Sequence, residues 1–485
     1  MGTAVTSKKD TKKYINMVIV LLFMFLFRYI PPISTLTPTG MHVLGVFIGA
    51  VYGWSTVGLI WPGFFAIISM SFITGYNLNS IIAGGFGSST FWIILFMLMF
   101  VQVFEKSGGT GFLATWFLTR KITKGRPLLF LFAFLFADFL VGMLNGIAAL
   151  ILFCNILYQI CEKVGYTKHS KFPTIMIFGI AFMAMFGSVS HSLTGSPLIL
   201  AGAFTAASGI TLGLIDFLKV CWIFGVFLCF VFCLSVKFVF RCDLKPLAEV
   251  DIESIMDMSA LHISKELKVM FGFIIVLVVL IGAMAVLPQE MALSIVLNKL
   301  SILGVVMILL GVMAMIKVNG HILYEFHNYT TGIQWDCLFI CAVVMPLSGM
   351  LTMEGTGINT FIASILGGSL GGLPPYLFVC AVIFLGMILT NLGNNVSICV
   401  LLMPVIFSIG STMGLDPRPI YMCMIFAVHL AMLTPGACPY AALVWGNTEW
   451  ISAKNIYKYV PVIMLVFYVM IITVGYAWAK LMFGS

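Results

Sequence analysis

Two asparagine-centred segments interrupt apolar runs of this chain: Leu144-Asn145-Gly146 and Gly393-Asn394-Asn395-Val396. A second kind of interruption follows each of them. The first runs from Gly187 to Pro197 and holds Ser188, Ser190, His191, Thr194 and Gly195; the second is Thr434-Pro435-Gly436-Ala437-Cys438-Pro439. An amide side chain offers both acceptor and donor groups. A helix broken inside a membrane leaves backbone N–H and C=O groups unpaired, which is tolerated only where protein, an ion or a solute pairs them. Exposed half-helix N-termini favour anions and C-termini favour cations. The chemistry these residue types support is reversible ion binding. Ser, His and Asp are present, but no spacing sets a nucleophile beside a base, so an enzyme is not expected.

The elements that must position these residues are membrane spans. Of 485 residues, 61% are hydrophobic and 9% charged, against about 25% charged in soluble domains. Apolar runs recur from Tyr14 to Phe483, and ~20 such residues span a bilayer. The formal charge of +8 fits cytoplasmic Lys and Arg rather than nucleic-acid binding. The 12 cysteines form no Cys-x-x-Cys pair. Cys229/Cys233 and Cys337/Cys341 sit four apart on helix faces and read as small buried hydrophobes. No phosphate-binding loop of the GKT/GKS type is present, which argues against ATP-driven transport.

Lys8, Lys9, Lys12 and Lys13 precede the first apolar run, which ends in Arg28 and Pro31-Pro32 without a cleavage site. This predicts a retained span with a cytoplasmic N-terminus. Spans are expected at 41–54 and 57–74, joined by a turn at Gly53-Trp54-Ser55-Thr56. Region 81–118, broken by glycines, suggests a re-entrant hairpin plus a helix. The basic stretch Arg120 to Arg126 and the polar segment Arg241 to Lys268 read as cytoplasmic connectors. Single spans are expected at 217–240, 267–287, 292–316 and 456–482.

Three landmarks recur in order in two halves of the chain. Glu105 to Gly111 corresponds to Glu354 to Gly357, Leu144-Asn145-Gly146 to Asn394-Asn395-Val396, and Leu193 to Pro197 to Thr434 to Pro439. Paired interrupted helices in two repeats are the pattern of a secondary transporter with a midplane site. The expected fold is therefore all-α: a polytopic membrane protein with two inverted repeats, each holding a re-entrant hairpin and broken helices.

At these residues, and at Pro31 to Gly40, the chain resembles the divalent anion:sodium symporter (DASS) family of the ion transporter superfamily. The resemblance covers nearly the whole chain, but the family's two Ser-Asn-Thr motifs are degenerate here, read as Leu144-Asn145-Gly146 and Asn394-Asn395-Val396. It implies an elevator-type homodimer. Scaffold helices would occupy 1–80, the first transport repeat 81–210, further scaffold and the connector 211–332, the second transport repeat 333–455, and a C-terminal helix 456–485. The resemblance also implies sodium as the coupling ion, with no other cofactor. Thr390, Gly393 and Asn395 match the second-half sodium pattern; of the first, Asn145 remains, with Ser188 or Ser190 open to complete it from the following break. Asn145, Gly146, His191, Thr194, Gly195, Asn394, Asn395, Thr434, Pro435 and Gly436 are the expected substrate-binding residues.

The expected function is secondary active transport of a small organic (carboxylate) or inorganic anion across a cell membrane, in a lipid bilayer and without nucleic acid. Two rivals stay open: sodium-independent anion exchange on the same fold, and cation/proton antiport with Asp138 as carrier. Asp138 is the one acid deep in an apolar run. It is either a cation or proton site, or the partner of a buried base or N–H group. His429 precedes the second Gly/Pro break, and Asn391 and the hairpin-exit residues Glu105 and Glu354 complete the polar groups at these depths.

Overall fold

A computed structural model describes residues 8–484, except 59, 120–124, 194, 250–257, 289, 330–332, 334, 354, 359, 362–363, 365–371, 392–394 and 436. Among the described residues, seven helices are long and apolar enough to cross a membrane. The chain is thus an integral membrane protein of helices, with one two-residue hairpin pairing Lys317–Val318 with His321–Ile322.

Local chemistry sets the helix ends. Helix α1 (Lys8–Leu21) continues through a π turn, Leu22–Leu26. Helix α2 (Pro38–Thr56) opens on proline and is capped by Thr37, whose hydroxyl accepts from the Gly40 N–H at 3.1 Å. Proline at the first turn needs no intrahelical N–H partner. Helix α3 (Ile60–Met70) follows. The expected turn at Gly53–Thr56 is not there, because α2 runs on to Thr56. Its glycines serve packing instead. A Cβ at Gly45, Gly49 or Gly53 would lie 2.6 Å from Phe27, Met24 or Pro62, so this stripe lets α1 and α3 close on α2.

Helix α4 (Leu78–Gly85) starts with a capping box of Asn77 and Ser80. Helices α5 (Ser89–Lys106) and α6 (Gly109–Leu118) then form a tight pair, with left-handed Gly108 at the corner. The 81–118 region therefore holds a span-length helix flanked by two short ones.

Helix α7 (Pro127–Val164) has 38 residues, roughly 57 Å at 1.5 Å per residue and longer than a ~30 Å hydrocarbon core. It is broken at one residue, Asn145, with φ −151° and ψ 102°. Helix α8 (Lys171–Val189) packs along it and is the most enclosed span, 94% buried inside the protein. The chain then breaks, over a shorter stretch than Gly187 to Pro197, before α9 (Gly195–Ser208). Helix α10 (Leu214–Phe238), α11 (Lys265–Val286) and α12 (Ala292–Met315) follow, the last two being the least covered by protein.

The second series is α13 (Trp335–Thr352), α14 (Pro375–Leu389), α15 (Asn395–Thr412), α16 (Pro417–Val428), α17 (Pro439–Gly446) and α18 (Ala453–Phe483). Its order matches the first: an apolar helix, a helix interrupted at asparagine, then a helix ending in a break and resuming. The segment before α2 also touches the start of the second series. The Thr37 N–H donates to the Thr356 carbonyl at 3.0 Å, and the Thr37 hydroxyl to the Gly355 carbonyl at 2.9 Å. Gly357, at φ +72°, lets this contact close: a Cβ there would lie 2.0 Å from the Thr35 carbonyl oxygen.

Candidate functional site

Asn145 acts as a helix cap in the middle of α7. Its extended backbone ends the first half-helix, and its side-chain oxygen accepts from the Ala148 N–H at 3.1 Å. Those are the features of an N-cap bonding its N3 position. The second half-helix, from Gly146 to Val164, thus begins inside the apolar run. The break frees the Met143 carbonyl, and the His191 ring takes it up through Nε2, while Nδ1 accepts from the Leu193 N–H at 3.2 Å. Both ring nitrogens are engaged, one donating and one accepting, which is the neutral imidazole. In this arrangement neither nitrogen faces a ligand.

Ser190 lies in the same break but turns toward α10. Its hydroxyl donates to the Phe186 carbonyl at 2.6 Å and lies 3.4 Å from the Cys221 carbonyl. Its hydrogen bonds therefore go to carbonyls and not to Asn145. Thr194 lies outside the described residues, and Gly195 starts α9.

In the second half, Thr390 ends α14 and Asn395 begins α15. The buried Thr390 hydroxyl lies 3.1 Å from Asn395 Oδ1 and 2.5 Å from the Val428 carbonyl oxygen. A hydroxyl carries one proton, so three oxygens meet around a single hydrogen. Gly393, Asn394 and Gly436 lie outside the described residues, as does Glu354. Thr434 donates to the Asn391 carbonyl at 2.7 Å, and Pro435 follows it in the irregular stretch between α16 and α17.

Asn391 is fully bonded. Its amide donates to the Met387 and Leu430 carbonyls at 2.8 and 3.0 Å and accepts from the Met432 and Leu433 N–H groups at 2.9 and 2.8 Å. The two halves are then joined directly. His429 Nδ1 donates to the Ile425 carbonyl at 2.7 Å, and Nε2 lies 3.1 Å from the Ser196 hydroxyl. Across α7, a Cβ on Gly146 would fall 2.0 Å from the Tyr440 hydroxyl oxygen. All four interruptions are thus linked by side-chain or backbone contacts.

Asp138 is completely buried in α7, and neither carboxyl oxygen has a hydrogen-bond partner among the described residues. Sequence left open whether it pairs with a buried base or N–H group; no such partner is found there. Glu105 lies near the Asn145 side chain and accepts from Gln102 at 3.3 Å.

Residues 44–427 match the citrate transporter family (CitMHS). The chain belongs to this family. The DASS likeness holds at the level of the shared ion transporter superfamily. An uncharacterised transporter of Synechocystis is 29% identical over 136 residues, 28% of this chain and 21% of that protein. One of Methanocaldococcus jannaschii is 21% identical over 314 residues, 65% of this chain and 66% of that protein. The chain therefore matches about a fifth and just under two thirds of these relatives' lengths.

Two solved transporters share the fold. MtrF of Neisseria gonorrhoeae, described with a class of antimetabolite efflux pumps, gives a TM-score of 0.57 at 13% identity, covering 97% of this chain and 95% of that one. The YdaH transporter of Alcanivorax borkumensis gives 0.53 at 14%, covering 84% and 88%. The family model is that of a citrate transporter, and both curated relatives are transporters. Two neighbours of the site were missed in the sequence. The Val428 carbonyl has no residue-type signal. Tyr440 was hidden as one aromatic among many, although its place directly after Pro439 at a helix start was readable.

Proposed function

We propose that this transporter carries a small carboxylate or inorganic anion, with sodium as coupling ion, by an elevator motion of the two broken-helix repeats. The observation that carries the sodium assignment is the meeting of Thr390 Oγ1, Asn395 Oδ1 and the Val428 carbonyl around one proton. Hard cations take oxygen ligands, and a cation would satisfy the oxygen that the lone hydroxyl proton leaves over. The anion would lie at the Asn145-capped half-helix, where the positive end of the helix faces the break.

Leu144 and Val396 make the two asparagine breaks apolar on one side, so a carboxylate with unlike ends suits them better than a symmetric diacid such as succinate. The family's name makes citrate the first compound to try. The proposed moving parts are 81–210 and 333–455, within a homodimer.

The test is uptake of labelled citrate and other carboxylates into proteoliposomes, with and without a sodium gradient. Uptake that ignores sodium overturns the coupling and leaves exchange or proton coupling. Of those two, the Asp138 carboxyl, which has no hydrogen-bond partner among the described residues, favours the proton, because an isolated carboxylate at such depth is heavily penalised. Uptake of no anion overturns the whole reading.

A further inference from the structure

The first-half break has no side-chain hydroxyl of its own, since it reads Leu144-Asn145-Gly146. A hydroxyl nevertheless stands there. The Tyr440 oxygen occupies the space in which any side chain on Gly146 would have to lie, 2.0 Å from its Cβ position, with ring carbon Cζ at 2.9 Å. Tyr440 comes from the other half of the chain, at the second residue of α17. We propose that Tyr440 is a specificity-determining residue of this transporter: its phenol supplies, from the second half, the hydroxyl that binds substrate carboxylate at the Asn145 break.

Several features hold the hydroxyl there. Pro439 opens α17 and Cys438 caps it, its sulfur accepting from the Ala441 N–H at 3.4 Å and donating to the Ala431 carbonyl at 3.1 Å. At the other end of α17, the Asn447 amide donates to the Tyr158 hydroxyl of α7 at 2.6 Å. Trp450 stacks on the Tyr158 ring at 4.6 Å and 9°. The short helix is therefore tied at its start to residue 431 and at its end to α7. Tyr440 itself is only half-buried, so its ring is not sealed in the core.

Ser188, in the last turn of α8, lies beside this hydroxyl. The Ser188 proton is already given to the Met185 carbonyl at 2.7 Å. Rotation about the Cζ–O bond turns the Tyr440 proton to an arriving carboxylate, with no rearrangement of the helices. A side chain at position 146 would have to displace that oxygen.

This inference rests on the anion reading above, and its test separates the two. Purified protein in proteoliposomes is assayed with labelled citrate. Tyr440→Phe keeps the ring and removes the oxygen. KM should rise roughly 10- to 100-fold, the loss of one hydrogen bond to a charged group, with maximal rate and thermal stability little changed. Gly146→Ser alone should lose transport, because it collides with Tyr440. Gly146→Ser combined with Tyr440→Ala should recover a KM within a few-fold of wild type, which a packing role for the ring would not give. Unchanged KM in Tyr440→Phe, or no recovery in a double variant that is folded, overturns the assignment of Tyr440 while leaving anion transport standing. Wild-type protein that takes up no carboxylate overturns both.

Discussion

The Ser196 hydroxyl lies 3.1 Å from His429 Nε2. Ser196 is the second residue of α9, after the first-half break; His429 directly follows α16, before the second-half break. The His429 ring donates through Nδ1 to the Ile425 carbonyl, so Nε2 is the accepting nitrogen and Ser196 the donor. Two interruptions more than two hundred residues apart in sequence thus share a buried polar contact.

That contact has a measurable strength. Ser196→Ala leaves Nε2 without a donor in a buried setting, which costs about 1–3 kcal/mol. His429→Phe removes the acceptor instead. The expected outcome is a lowered thermal midpoint in detergent for each. A double variant should lose less than the sum of the two, because the residues are in direct contact. Strict additivity would show that the pair carries no coupling.

Asn391 ties the α14–α15 break to Leu430, Met432 and Leu433 through three side-chain hydrogen bonds and makes a fourth to the Met387 carbonyl. Asn391→Leu keeps the approximate volume and removes all four. At about 1 kcal/mol each, the loss is on the order of 4 kcal/mol, a large share of a protein's net stability. We expect little folded protein from Asn391→Leu, and partial recovery in Asn391→Asp, which keeps the acceptor for the Met432 and Leu433 N–H groups. Fluorescence-detected size exclusion of the two variants checks this.

Thr390→Val keeps the shape of Thr390 and removes one of three clustered oxygens. In a transporter that needs sodium, half-maximal sodium should rise at least roughly tenfold, the scale of one lost charge-assisted contact. Thr390→Ser retains the oxygen and should stay near wild type. An unchanged sodium requirement in Thr390→Val would separate this oxygen cluster from the coupling ion.

Asp138 has no hydrogen-bond partner on either oxygen among the described residues. Asp138→Asn is nearly isosteric and removes the group that could be ionised. If sodium alone drives uptake, the variant should keep sodium-dependent uptake with an unaltered pH profile. A flattened pH profile, with counterflow of substrate preserved, would move the coupling to a proton at Asp138.

Much of the scaffold was legible because lipid imposes length and apolarity on each span. The runs expected at 267–287, 292–316 and 456–482 lie within a few residues of the observed helices. The interruption at Asn145 was legible for a related reason: a polar amide beside glycine in an apolar run is costly in lipid unless it caps a broken helix. The turn assigned to Gly53–Thr56 was misread, because glycines that let helices approach look the same in sequence as glycines that turn the chain. The partners of the polar residues were not legible either. His191 bonds two backbone groups and Ser190 two carbonyls, and a backbone group has no side-chain identity to read. Tyr440 reaches Gly146 only through the folding of one half onto the other.

The contact of Thr37 with Thr356 tests which parts of the chain move. Residues 35–37 fall in the proposed scaffold, 1–80, and residues 355–357 in the proposed second transport repeat, 333–455. They are joined by a main-chain hydrogen bond of 3.0 Å, and the Thr37 hydroxyl bonds the Gly355 carbonyl at 2.9 Å. An elevator stroke that carries 333–455 past 1–80 must part these bonds. A covalent link between them should then stop transport. With cysteines at both positions (Thr37→Cys and Thr356→Cys), oxidation should abolish uptake and reduction should restore it, while each single variant stays active under oxidant. Backbones held this close lie within the roughly 4.4–6.8 Å Cα separation that a disulfide spans, so formation of the link can be verified by mass spectrometry. Full uptake by the cross-linked protein would mean that 355–357 travels with 1–80, and that the boundary of the moving domain lies C-terminal to this contact.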